Sequence, residues 1–230
     1  MGLRVEVIGD LSDQDTGFVG ERLAAEHGAE LVMHDRDALG GDADFADTQL
    51  LLLLGSIRSA HDPAQRGVVE AESQIVRGRL DAGVPVLGIC YGAQLLAHAL
   101  GGSVHEATHA EIGWYAVESA DPDLCPSGPW SQFHSDAFTP PQTARVLGTS
   151  SAGCQAFSDD SRKARALAWQ FHPEVTASRF ITWSRQTRDY CAAHGVDPDV
   201  LIEQAPSHEP RLREASFALT DAAVAWLLRR

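Results

Sequence analysis

Pro85-Val-Leu-Gly-Ile-Cys-Tyr-Gly-Ala-Gln-Leu-Leu-Ala-His-Ala-Leu-Gly-Gly102 is an apolar strand that turns through a cysteine into a helix. Val84 to Ile89 has the continuous apolar character of a buried parallel strand. Ala93 to Leu100 repeats apolar residues at helical spacing, and Gly101-Gly102 stops it. Cys90 lies at the junction between Gly88 and Gly92, the thiol counterpart of the Gly-x-Ser-x-Gly nucleophile elbow. A sharp strand-to-helix turn leaves little room for neighbouring Cβ atoms. It aims the nucleophile off the sheet, into a space that the first amides of the helix also face.

Outward from this elbow, strands and helices alternate. Arg4 to Ile8, Ala29 to Val32 and Thr48 to Leu54 read as strands, and Phe18 to His27 and Val68 to Ala82 as helices, with an acidic loop ahead of Thr48. That order predicts an α/β fold with a mostly parallel central sheet and helices on both faces. After Gly102 the pattern shortens. Ser103 to Val117 reads as strands with turns, Asp121 to Pro129 as a turn, and Val146 to Thr149, Gln155 to Phe157 and Ala166 to Phe171 as three further strands. Ala177 to His194 and Arg213 to Leu228 read as helices, separated by a loop carrying Pro198, Pro206 and Pro210. Without repeats or a dividing linker, residues 1–230 are expected to form one domain, with 185–230 a closing C-terminal helical segment.

The chain of 230 residues has a net charge of −14, from 32 acidic and 18 basic residues. That balance argues against nucleic acid or an anionic membrane surface as partner. Leu50 to Leu54, the most apolar run, is far too short to span a bilayer. Cys90, Cys125, Cys154 and Cys191 show no paired spacing, and Met1 to Asp10 lacks a secretory pattern, so a cytoplasmic location is expected. His105 and His109 stand four apart on a stretch that reads as strand or loop, so no metal site is expected. Nor does the sequence call for a cofactor.

A cysteine nucleophile needs an imidazole to take its proton and gains from a carboxylate behind that ring. His172 ends a predicted strand, where parallel sheets form their ligand crevice. Pro173 restricts His172 to extended backbone, placing the side chains of His172 and Glu174 on one side of the chain. Against this stands the plainer reading of a buried cysteine as a small hydrophobe and of a histidine before proline as a strand end.

Gly88-Ile-Cys-Tyr-Gly-Ala-Gln94 together with Gln170-Phe-His-Pro-Glu174 resembles the class I glutamine amidotransferase family, in particular the glutaminase domains related to that of GMP synthase. Leu51 to Gly55, Glu111-Ile-Gly-Trp114 and His134-Ser-Asp136 with Pro140 are similar to further family segments, so the resemblance covers residues 45 to 180. It implies a flavodoxin-like fold with Cys90 as nucleophile, His172 as general base and acid, and Glu174 as third member. It further implies an oxyanion hole from the backbone of Tyr91 and of the Gly55-Ser56 loop, with Gln94, Ser131 and Phe133 binding substrate. Relatives carry Gly-Gly-Pro where this chain has Gly55-Ser-Ile57, which reduces the backbone freedom expected at Ser56. The implied reaction releases glutamate and ammonia from glutamine through a cysteinyl thioester. A separate synthetase subunit would receive the ammonia, because no Walker-type phosphate loop is present. The other readings are a free-standing hydrolase of γ-glutamyl amides and a non-catalytic binding or regulatory module.

Overall fold

The computed structural model describes residues 2–39, 45 and 47–229. The acidic loop expected ahead of Thr48 lies largely outside these residues. Ten strands and six α-helices follow in the order β1 (Arg4–Gly9), α1 (Gly17–His27), β2 (Glu30–Asp35), β3 (Leu50–Leu53), α2 (Arg66–Asp81), β4 (Val86–Ile89), α3 (Tyr91–Ala99), β5 (Ser103–Ala116), β6 (Glu118–Ser119), β7 (Pro129–Thr139), β8 (Arg145–Ser150), β9 (Gly153–Asp159), β10 (Ala166–Trp169), α4 (Ala177–Gln186), α5 (Arg188–Ala193) and α6 (Pro198–Leu227). Eight strands form one sheet in the order β2-β1-β3-β4-β10-β9-β8-β6, and β5 pairs with β7 as a separate ribbon. The pairs from β2 through β10 are parallel, and those from β10 through β6 antiparallel.

Leu50-Leu51-Leu52-Leu53 shows why the sheet is covered on both faces. Leu50 and Leu52 enter a core cluster with Val19 and Leu23 of α1 and Leu219 and Leu227 of α6. Leu51 and Leu53 point the other way, to Val69, Val76 and Leu80 of α2 and Leu95 and Leu96 of α3. Side chains alternate across a strand, so an unbroken leucine run is what two apolar faces require. A third cluster packs Ile112 of β5 against Phe180 of α4, Cys191 of α5, and Leu201 and Ala205 of α6.

The α/β fold with its mostly parallel sheet is therefore as expected, and three local readings are corrected. Residues 129–139, which include His134 and Asp136 and for which the sequence suggests no regular element, form an eleven-residue strand. Thr187 divides the helix expected over 177–194 into α4 and α5. The loop expected around Pro198, Pro206 and Pro210 is the first half of a thirty-residue helix. Pro198 occupies the first turn after the Asp197 cap, where a missing N–H costs nothing. Pro206 and Pro210 lie one turn apart, and both are exposed, so water can satisfy the carbonyls they leave unpaired.

Candidate active site

The parallel ladder of β3, β4 and β10 ends with Leu53, Ile89 and Trp169 at one edge, and the predicted residues gather there. Cys90 follows β4 with φ 52° and ψ −110°, the one positive φ among the described non-glycine residues. Its backbone N–H donates to the Trp169 carbonyl (2.8 Å), and its own carbonyl accepts from the Gln94 N–H (3.0 Å), so the turn is fixed on both sides. The flanking glycines are steric necessities. A Cβ on Gly88 would lie 2.4 Å from the Gly92 carbonyl oxygen, and one on Gly92 would lie 2.3 Å from that of Leu53.

His172 and Glu174 stand just beyond β10, both buried. Nδ1 of His172 lies 2.7 Å from Oε1 of Glu174, while Nε2 is buried and makes no hydrogen bond. The His172 N–H donates to the Ser131 carbonyl (2.8 Å), tying the segment to β7. Burial disfavours the imidazolium, yet the charges of Glu174 and Cys90 outweigh it and hold the His172 pKa well above the usual histidine value. The Trp183 ring meets the imidazole edge to face at 5.0 Å and is itself anchored through Nε1 to Asp13 (2.6 Å). On the other side of the segment, the Phe18 N–H at the start of α1 donates to the Glu174 carbonyl (2.8 Å). The approach is close enough that a Cβ on Gly17, whose φ is 43°, would sit 1.8 Å from that oxygen.

Gly55 completes the cluster, since a Cβ there would fall 3.2 Å from Cε1 of His172 and 3.6 Å from Cβ of Cys90. Ser56 adopts no positive φ, so this backbone accepts a side chain where relatives were expected to need glycine. Its hydroxyl donates to Asp10 (2.7 Å). The structure thus brings together Cys90, His172, Glu174, Gly55 and, at the first position of α3, Tyr91. Gln94 is buried on α3, and its Nε2 donates to Oε1 of Gln170 (3.3 Å). Ser131 contributes its carbonyl to His172, and Phe133 belongs to an aromatic group with Phe180, Trp183 and Tyr190. Glu111 makes intramolecular contacts, accepting from Gln155 (2.8 Å) and pairing with His134 (3.2 Å). Among the described residues no cluster of three or more His, Cys, Asp or Glu is arranged to hold a metal ion.

Sequence reasoning missed Arg36 and Glu72, both buried and joined at 2.6 Å. A single arginine after a strand and a glutamate within a helix carry no spacing signal. Only the fold reveals that they meet beneath Tyr91, whose ring lies 4.5 Å from the guanidinium.

A thiol on a positive-φ turn thus stands with a buried imidazole and carboxylate at one end of an α/β sheet. The family model for glutamine amidotransferase class-I matches residues 23–182. A GMP synthase [glutamine-hydrolyzing] of Anaplasma marginale is 39% identical over 182 residues, which cover 70% of this chain and 34% of that protein. The corresponding protein of Neisseria meningitidis serogroup B is 32% identical over 208 residues, 85% of this chain and 38% of the relative. The chain thus spans little more than a third of the length of these relatives. A crystal structure of a glutamine amidotransferase from Thermotoga maritima superposes with a TM-score of 0.82 at 27% identity and covers all of both chains. The chain belongs to the class I glutamine amidotransferase family.

Proposed function

We propose that this chain hydrolyses the side-chain amide of glutamine, with Cys90, His172 and Glu174 as its catalytic triad. The observation that carries the reading is the His172 ring, held by Glu174 at Nδ1 with Nε2 free, beside a cysteine on a strained elbow. His172 Nε2 takes the Cys90 proton, and the sulfur attacks the γ-carboxamide carbon. The N–H groups of Tyr91 and the Gly55-Ser56 loop stabilise the oxyanion, a contribution of about 3 kcal/mol per donor. His172 returns the proton to the departing nitrogen, which leaves as ammonia, and the acyl group remains on sulfur as a thioester. Water deprotonated by His172 then attacks that thioester, releasing glutamate and restoring the thiol. Gln94, Ser131 and Phe133 are proposed to shape the substrate pocket.

The GMP synthase name that these relatives carry supports a synthetase, in a partner subunit, as the ammonia acceptor. Four free cysteines and an acidic surface are in keeping with a cytoplasmic protein that binds no nucleic acid. Residues 1–230 are read as one domain, with 185–230 its closing helical segment. Purified protein is expected to release glutamate from glutamine in a coupled assay, alone or once its partner is added. Release only from bulkier γ-glutamyl amides would reassign the substrate, and inertness toward all of them with and without partner would overturn the enzymatic reading.

Glu174→Gln tests the third member. An amide can donate to Nδ1 and thereby impose the wrong tautomer, so kcat is expected to fall by roughly 10²–10⁴. The carboxylate raises the His172 pKa, so its removal lowers it, and the imidazolium is lost at lower pH. The alkaline limb of kcat/KM should therefore move toward neutrality. The same sign governs stability: the contribution of the charged ring is complete below the ordinary histidine pKa of about 6.5 and disappears as pH rises through the raised value. An unmoved alkaline limb would separate Glu174 from the imidazole's titration.

A further inference from the structure

Tyr91 and the Gly55-Ser56 loop reach the site from different strands, and the ladder joining β3 to β4 ends at Leu53 and Gly88. Two donors serving one oxyanion must be held to within about 0.5 Å of their working geometry. One buried cation spans the gap between them. Arg36 follows β2, and its side chain has no solvent exposure. It donates from Nη1 to Oε1 of Glu72 (2.6 Å), from Nη2 to the Leu54 carbonyl (3.1 Å) and from Nε to Oδ1 of Asp10 (3.1 Å). The second oxygen of each carboxylate extends the contact: Oε2 of Glu72 accepts from the Tyr91 hydroxyl (2.8 Å), and Oδ2 of Asp10 accepts from the Ser56 hydroxyl (2.7 Å).

One arm of this network therefore ends on the residue after Cys90, and the other on the loop against His172. Stability is a weak reason for such an arrangement, because desolvating a cation and two carboxylates consumes much of what their attraction returns. Geometry is a stronger one. A planar guanidinium fixes three acceptors at set angles, which a flexible ammonium cannot reproduce.

We propose that Arg36 is a positioning residue that locks the Gly55-Ser56 loop and Tyr91 to each other, so that their backbone N–H groups converge on one oxyanion. The proposal rests on the amide-hydrolase reading. Arg36→Lys separates charge from geometry, since it retains the cation and loses the fork. In this variant of the 230-residue chain, acylation of Cys90 by glutamine is expected to slow by at least about tenfold, with the loss in kcat rather than KM. Alkylation of Cys90 by iodoacetamide, which builds no oxyanion, should keep its wild-type rate. Hydrogen exchange should rise over residues 55–58 and 90–92 and stay unchanged elsewhere.

Parallel loss of acylation and alkylation would reduce Arg36 to a structural role and overturn the proposal, as would wild-type acylation with wild-type exchange. If Arg36→Lys does not fold, Asp10→Asn weakens only the arm to Ser56 and is held to the same split between acylation and alkylation. A wild-type protein that forms no thioester with glutamine refutes the functional reading alone. The exchange measurement still decides the tie: raised exchange confined to both segments supports it, and unchanged exchange in either overturns it.

Discussion

Cys90→Ala is expected to end glutamate release, a loss on the order of 10⁶-fold in kcat, because no other group on the elbow can carry the acyl intermediate. The protein should still fold, since the cysteine side chain is small and its neighbours remain packed. A second measurement probes the turn itself. At φ 52° and ψ −110°, any residue with a Cβ is strained by about 1–2 kcal/mol, whereas glycine is not. Cys90→Gly should therefore unfold at higher urea than Cys90→Ala, by about 1 kcal/mol, although both are inactive. Glutamate release by the alanine variant would remove Cys90 from the mechanism. A glycine variant less stable than the alanine variant would show that the elbow stores no strain.

A large stability loss is expected at Gly92→Ala. Within a helix this exchange ordinarily stabilises by about 1 kcal/mol. Here the new Cβ would lie 2.3 Å from the Leu53 carbonyl oxygen and 2.7 Å from the Leu53 carbonyl carbon, backbone atoms that cannot swing aside. Separating α3 from β3 is expected to cost about 3 kcal/mol or more and to displace Tyr91 together with the loop after Leu53. Gly78→Ala in α2 is the control, because its Cβ meets nothing within 4 Å and the ordinary helical gain should appear. Equal urea midpoints for Gly92→Ala and the parent protein would mean that the helix and strand can part freely.

Gly88 and Gly92 were legible in the sequence because each answers a local requirement written beside the cysteine. The pairing of His172 with Glu174 was legible for the same reason: proline between them sets the backbone that places both side chains together. The leucine run at 50–53 marked a doubly covered strand. β7 was harder to read, because Ser131, Gln132, His134 and Ser135 make both of its faces polar and erase the period-two signal. Gln132 and His134 are buried against partners distant in sequence, Gln155 of β9 and Glu111 of β5, which is a tertiary fact. The first half of α6 was hidden by two prolines whose helical tolerance depends on facing water. The Arg36 network had no local signal at all. Its members come from the residue after β1, the turn after β2, the loop after β3, α2 and α3, and nothing short of the folded chain brings them together.

The contact between the start of α1 and the Glu174 carbonyl bears on how the proposed catalytic unit can be subdivided. The stretch that matches the family model begins at residue 23 and ends at 182, so it retains Cys90, His172 and Glu174 and leaves out Gly17 and Phe18. A fragment trimmed to that recognisable stretch would carry every reactive side chain and lack the amide that anchors the carboxylate's own backbone. For protein engineering, the portable unit is therefore larger than the stretch matched by the family model and has to include Phe18.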